Sequence, residues 1–263
     1  MPRRRKQSMN NAEALFEACS LGKPRVAARM AALVDPSCVD LHGFPPLTLA
    51  AFHGHTKVVR ALLPHCNPMA VDDCGCNALM WAASNGQLEC VELLVQHCAP
   101  GAADPDGVTA LMKAAGMGRE NCSRVLARLC DRDARDARGL NALMWAAMRG
   151  SVECVEALAG GAPQDAVSLK GNTALMCAAM GLMGRMGGAG GARELACVDV
   201  LIRRGHRDIP NHEGITAAAV ARSLGQSKLA ERIEAAEIAM RERELFDAMI
   251  RRAPSRPRVR AGL

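Results

Sequence analysis

Tyrosine is missing from this 263-residue sequence, and with two Trp and four Phe the aromatic share is only 2%. That scarcity removes the stacking platforms on which single-strand nucleic-acid binders lay their bases. Missing too is any apolar run near the roughly 18 residues that a membrane span needs. The opening MPRRRKQSMN has no apolar stretch of the kind that makes a signal peptide. The chain is therefore expected inside the cell, in the cytoplasm rather than the nucleus, without signal peptide or membrane span. Catalytic signatures are absent as well: no phosphate-binding loop, dinucleotide fingerprint, zinc-protease His-Glu pair, EF-hand loop or nucleophile elbow occurs. The one glycine-rich stretch, GGAGG, is not followed by Lys and Ser or Thr. No enzyme and no cofactor are expected.

What the chain does contain is apolar mass, 49% of its residues, against 23% charged, so it can bury a sizeable core. Ala, Leu, Val, Met and Cys must build that core, and such residues suit tightly packed short helices. The formal net charge of +6 is concentrated at the ends, in Arg3, Arg4, Arg5 and Lys6 and in Arg251, Arg252, Arg256, Arg258 and Arg260. With those set aside, acidic residues slightly outnumber basic ones, so any electrostatic grip belongs to the tails. Twelve cysteines in a chain expected inside the cell should stay as thiols. His65, Cys66, Cys74, Cys76, His97 and Cys98 are donors of the type zinc prefers. The only close thiol pair is Cys74-Gly-Cys76, without the paired C-x-x-C spacing of a structural zinc site, and no metal is assigned. Cys74 and Cys76 are the thiols expected at the surface.

A 32-residue period organises the rest. Gly43, Gly75, Gly107, Gly139 and Gly171 keep that step, and so do Leu47, Leu79, Leu111, Leu143 and Leu175. Gly22, Gly54, Gly86, Gly118 and Gly150 form another series, and Asp40, Asp72, Asp104 and Asp136 a fourth. Gly214 follows Gly171 after 43 residues, the surplus being supplied by GLMGRMGGAGGAR. Cys90, Cys122, Cys154 and Cys197 run in phase with Val58 and Leu229, so cysteine stands here for an aliphatic side chain.

Each unit can be read physically. An Asp-led turn ends in glycine, as in DDCG, DPDG and DARG, which suits a tight reversal. Asn or Thr then offers a helix N-cap to NALMWAA or TALMKAA, a second glycine stops that helix, and a stretch such as QLECVELLVQH starts another. In it Leu88, Val91, Leu94 and Val95 fall on one face. Two short helices cannot offset the ordering entropy of a unit, roughly 1 to 2 kcal/mol per residue, so the units must stack.

Gly43-Phe-Pro-Pro-Leu-Thr-Leu-Ala-Ala51, followed by Gly54-His55 and Val58 to Leu63, resembles an ankyrin repeat. GCNALMWAASNG, GVTALMKAAGMG, GLNALMWAAMRG and GNTALMCAAMG are similar, with Ala for the usual proline and Met for the usual histidine, as in repeats of some unicellular eukaryotes such as diplomonads. The resemblance implies an all-α ankyrin-repeat solenoid of about seven stacked helix-turn-helix units with short hairpin-like loops. Residues 1–10 are expected as a basic disordered tail and 11–235 as the array. Within it come an N-terminal cap at 11–39, repeats near 40–71, 72–103, 104–135, 136–167 and 168–210, and a C-terminal cap at 211–235. The fifth repeat carries a Gly-rich insertion at 181–192. A helical extension at 236–252 and a basic tail at 253–263 complete the chain.

The resemblance further implies that another protein, of unknown identity, docks on a concave face of loop tips and first helices, as on an interaction module or scaffold. Carried over by position, the tips offer His42, Phe44, Asp73, Cys76, Asp106, Val108, Arg138, Leu140, Lys170 and Asn172. The first helices add Phe52, His53, Ser84, Asn85, Met117, Met148 and Arg149. Trp81, Lys113 and Trp145 occupy one column, where the indoles are either binding anchors or inter-helix core. A different class of function remains: the basic tails target nucleic acid or an acidic membrane surface, with the repeats as spacer. Tail-driven binding of that kind is salt-sensitive and unspecific. The chain is expected to be monomeric. In the last helix Leu229, Ile233 and Ala236 are expected to cover the array, leaving Leu245, Phe246, Met249 and Ile250 for a partner.

Overall fold

The computed structural model describes residues 2–35, 37–161, 166–181 and 191–252. Among them the chain forms fourteen helices in seven pairs. The pairs are α1 (Pro2–Ser20) with α2 (Pro24–Ala31), α3 (Pro46–Phe52) with α4 (Thr56–Leu62), α5 (Ala78–Asn85) with α6 (Leu88–Leu94), and α7 (Ala110–Gly116) with α8 (Glu120–Leu129). Then come α9 (Ala142–Arg149) with α10 (Val152–Ala159), α11 (Ala174–Met180) with α12 (Gly191–Arg203), and α13 (Ala217–Ser223) with α14 (Ser227–Arg252). Odd-numbered helices pack on one another in a row from α1 to α13, and even-numbered helices form a second row behind them. The expected all-α solenoid is thus the observed one.

Local chemistry starts each first helix where the sequence places it. Asn77, Thr109, Asn141, Thr173 and Thr216 accept, through their side chains, the N–H of the residue three positions on. That satisfies one otherwise orphaned donor at each helix start. Before the caps, Val71 pairs with Asn77 and Ala103 with Thr109 as antiparallel bridges, which gives the loops their hairpin character. Ala-rich first helices let neighbours approach closely, and the leucines Leu47, Leu79, Leu111, Leu143 and Leu175 run as one buried column through the array. The Met80, Met112, Met144 and Met176 column is buried beside it, filling gaps that a flexible thioether suits.

Cysteine plays the packing part its register foretold: Cys90, Cys122, Cys154 and Cys197 are fully buried in the second helices. Burial pushes the thiols of Cys19 and Cys177 up to about 12. It pushes those of Cys66, Cys98, Cys122 and Cys130 up to about 11. All twelve cysteines are free, and Cys74 alone is exposed. Because the thiolate is the reactive species, a thiol reagent in native buffer should label Cys74 promptly, the half-buried Cys38 and Cys130 more slowly, and the nine buried thiols only in denaturant. Peptide mapping after timed alkylation checks this, and early native labelling of Cys154 or Cys177 would count against a tightly stacked array.

The ends depart from expectation. The helix of the first pair begins at Pro2, so residues 2–10 continue α1 instead of forming a disordered tail. Adding a residue to an existing helix gains a hydrogen bond without a new nucleation cost, which favours this extension. α12 already starts at Gly191, inside the span expected as insertion, while residues 182–190 and the basic tail at 253–263 lie outside the described residues. At the other end α14 runs as one continuous helix from Ser227 to Arg252, across the 235/236 border between cap and extension. Leu229, Ala230 and Ile233 close the core, with Ala236 half-buried.

Candidate functional site

The candidate residues lie on the side of the array built from the loops and the odd-numbered helices, and a repeated carboxylate organises that side. In each Asp-led loop one carboxylate oxygen accepts two backbone N–H groups. Asp40 holds His42 and Phe44, Asp72 holds Cys74 and Cys76, Asp104 holds Asp106 and Val108, and Asp136 holds Arg138 and Leu140, all at 2.8–3.1 Å. The glycine between those donors takes positive φ, 75–76° from Gly43 to Gly139, and so do its counterparts Gly171 and Gly214, at 78° and 75°, in the loops led by Ser168 and Asn211. Successive loops are joined by backbone bonds, Ala137 N–H to Asp106, Leu169 N–H to Arg138 and His212 N–H to Lys170, at 2.7, 3.0 and 3.2 Å.

That cup divides the tip residues into two sets. His42, Asp106, Arg138 and Lys170, one before the glycine, and Asp73, two before it, are exposed. The residue after it turns back towards the core: Cys76, Val108 and Leu140 are 3%, 8% and 6% accessible, which corrects their assignment as contact residues. The reason is geometric, since the aspartate captures the N–H of that residue and so aims its side chain at the stack. Phe44 and Asn172 at the same register are half-buried, and Asn172 accepts a hydrogen bond from the Asn211 side chain at 3.0 Å.

The second oxygen of the same aspartates settles the column of Trp81, Lys113 and Trp145. The Trp81 indole N–H donates to Asp72 at 2.6 Å, the Lys113 ammonium to Asp104 at 2.9 Å and the Trp145 indole N–H to Asp136 at 3.2 Å. Each of these side chains is half-buried. The two readings of the indoles therefore merge: both pack against the core and staple a loop to its helix, and each keeps part of a ring in solvent. Burial works against ionised Asp104, yet the Lys113 ammonium and the N–H groups of Val108 and Asp106 hold its carboxyl below the usual value. Lys113, desolvated but paired with Asp104, is held above the ordinary lysine value. This i, i+9 staple was not read from the sequence, although its signal is there: Asp72 to Trp81, Asp104 to Lys113 and Asp136 to Trp145 share one spacing.

Two surface regions differ in character. In the second and third pairs Phe44, Phe52 and Trp81 form an aromatic cluster with ring centroids 5.4–5.9 Å apart, and His53 stands edge-on to Phe52 at 5.2 Å. Farther along, the Arg138 guanidinium lies 5.1 Å from the centre of the Trp145 ring and is paired with Asp136. Gly116 makes room for that indole, because a Cβ there would sit 2.6 Å from its six-membered ring. Beside it a groove of about 350 Å³ between neighbouring loops is lined by Arg138, Met148, Leu169, Lys170 and Met180, among others. Met117, Met148, Arg149 and His53 are exposed at the ends of the first helices, while Ser84, Asn85 and Phe52 are half-buried. Asn85 caps back onto the Trp81 carbonyl at 3.2 Å.

No grouping of three or more His, Cys, Asp or Glu that could hold a metal occurs among the described residues. Cys66, Cys76 and Cys98 are buried, whereas His65, Cys74 and His97 are exposed, so the six zinc-type donors do not converge. Among the described residues no helix is long and apolar enough to cross a membrane.

Comparison with known proteins agrees with this architecture. The family model "Ankyrin repeats (3 copies)" matches residues 58–136 and 125–185, and the model "Ankyrin repeat" matches 42–73. No curated protein matches the sequence significantly. Among solved structures, the ankyrin repeat domain of Bcl-3, described as a unique member of the IkappaB protein family, aligns with a TM-score of 0.67 and 27% identity. That alignment covers 83% of this chain and 97% of the other. The chain belongs to the ankyrin repeat family, whose members are generally protein-interaction modules without catalytic activity.

Proposed function

We propose that this chain is a non-catalytic interaction module that binds a partner protein across its loop tips and first helices. One contrast carries the reading. Five successive units keep the same buried leucine, whereas His53, Asn85, Met117 and Arg149 at one surface register, and His42, Cys74, Asp106, Arg138 and Lys170 at another, differ from unit to unit. A stack needs constancy only where units touch, so residues that vary on one face are available to match a partner. Met117, Met148 and Leu169 add exposed apolar area on that face, and scattered apolar anchors among polar groups are what an interface core uses. Twelve free thiols suit a reducing, cytoplasmic setting.

The test is affinity capture from extract at high salt, comparing the intact chain with one altered together at His53, Asp73, Met117, Arg149 and Lys170. All five are exposed, so both chains should melt alike. A protein retained by the first and lost by the second supports the reading. Equal capture by both, or capture by either only after salt is lowered, would overturn it and leave the basic tails as the binding element.

A further inference from the structure

The fifth repeat lacks the staple that the three units before it carry. The spacing that joins Asp72 to Trp81, Asp104 to Lys113 and Asp136 to Trp145 falls there on Ser168 and Cys177. Both are small and buried, so neither a carboxylate nor an indole fills the space between loop and helix. Met148 stands at the register where Gly116 made room for the Trp145 ring, and it takes up part of that space. What stays open is the groove of about 350 Å³, with buried Cys177 beneath it and Met148, Leu169 and Met180 as apolar walls. Leu169 is 70% accessible, and the flexible thioethers can adapt to an inserted side chain.

Charge at the groove is of one sign. Arg138 and Lys170 line it, and among the described residues no Asp or Glu does. Lys113 and Arg138 each pair with the aspartate that leads their loop. Lys170, in a loop led by Ser168, is exposed and pairs with no acid among the described residues. Arg138 is held in place by Trp145 and by bonds from Nε and Nη2 to Asp136, which leaves Nη1 unbonded. The Asp136 side chain is 2% accessible, and its oxygens are already taken by Arg138, the Trp145 indole and two backbone N–H groups. Exposed Arg149 adds a cation beside Met148, whereas the two preceding loops carry Asp73 and Asp106. The positive excess is therefore local to this groove.

We infer that the groove docks an acidic linear segment of a partner protein, which lays an apolar side chain between Met148 and Leu169 and sets a neighbouring carboxylate on Lys170 and Arg138 Nη1. A guanidinium already fixed by its ring and its aspartate loses little freedom on taking up a carboxylate. A second copy offering the same loops would set like charge on like, and a basic segment would be repelled. The inference rests on the loop-face reading above and supplies the chemistry of the partner there.

Fluorescence anisotropy on the full chain, with three labelled pools of short end-blocked peptides, tests this. One pool has a central Leu flanked by Asp or Glu, the second a central Ser with the same flanks, and the third a central Leu flanked by Lys. The first pool should bind and the other two should not. Lys170→Glu should weaken binding by about tenfold or more, as loss of an interface charge contact does. Leu169→Ser should weaken it as well, and because both side chains are exposed, neither change should move the melting temperature. Failure of the first pool to bind, equal binding of the Ser-centred pool, or binding indifferent to both substitutions overturns the inference. If the peptides fail while a protein is still captured by the intact chain and lost from the one altered on its loop face, this inference alone falls and the loop-face reading stands.

Discussion

Leu111→Ala should cost this protein about 2–5 kcal/mol of stability, the range for deleting a buried leucine side chain when the surroundings cannot collapse onto the space. Leu111 has no accessible surface, and its helix α7 packs on α5 before it and α9 after it. The cavity therefore weakens two interfaces at once, in the middle of an array whose stability is a sum of unit and neighbour contributions. Denaturant unfolding should show a lower midpoint and, because the two halves become less coupled, a broader transition. A loss below about 1 kcal/mol would mean that the leucine column is not what couples the units.

Replacing Gly139 by alanine should destabilise the chain clearly more than the same change at Gly214, although both residues have φ near +75°. At Gly214 nothing lies within 4 Å of the added Cβ, so only the left-handed conformation costs, about 1–2 kcal/mol. At Gly139 the Cβ would stand 2.7 Å from the Leu169 backbone nitrogen, the same N–H that reaches across to the Arg138 carbonyl. Relieving that overlap moves one loop from the next and adds the value of a lost hydrogen bond, about 1 kcal/mol or more. Thermal melts of the two variants side by side separate conformational strain from loop-to-loop contact. Equal losses would show that the loops do not support one another there.

Much of this was legible because it is periodic. Leu79, Leu111 and Leu143 announce a stack by their spacing, and Asn77, Thr109 and Asn141 announce helix starts because capping is a contact three residues long. The cysteines of the second helices could be read as packing residues because Val58 and Leu229 occupy the same register. The site was legible only in part. Cys76, Val108 and Leu140 were assigned to the surface because they sit next to exposed tip residues in the chain. Their burial follows from one hydrogen bond each to the preceding aspartate, which spacing alone does not orient.

What the sequence determined by itself is therefore everything that depends on repetition: fold class, the number of helix pairs, the helix starts, the turn glycines and the leucine column. These follow from local propensity and from a burial pattern that recurs every 32 residues. Tertiary structure alone decided which varied residues face solvent, how Asp72, Asp104 and Asp136 each join a loop to its helix, that α1 begins at Pro2, and how far α14 projects beyond its last support. Those outcomes depend on the direction of a side chain or the end of a packed surface. Direction and termination are set by neighbours far away in the sequence or by the lack of any.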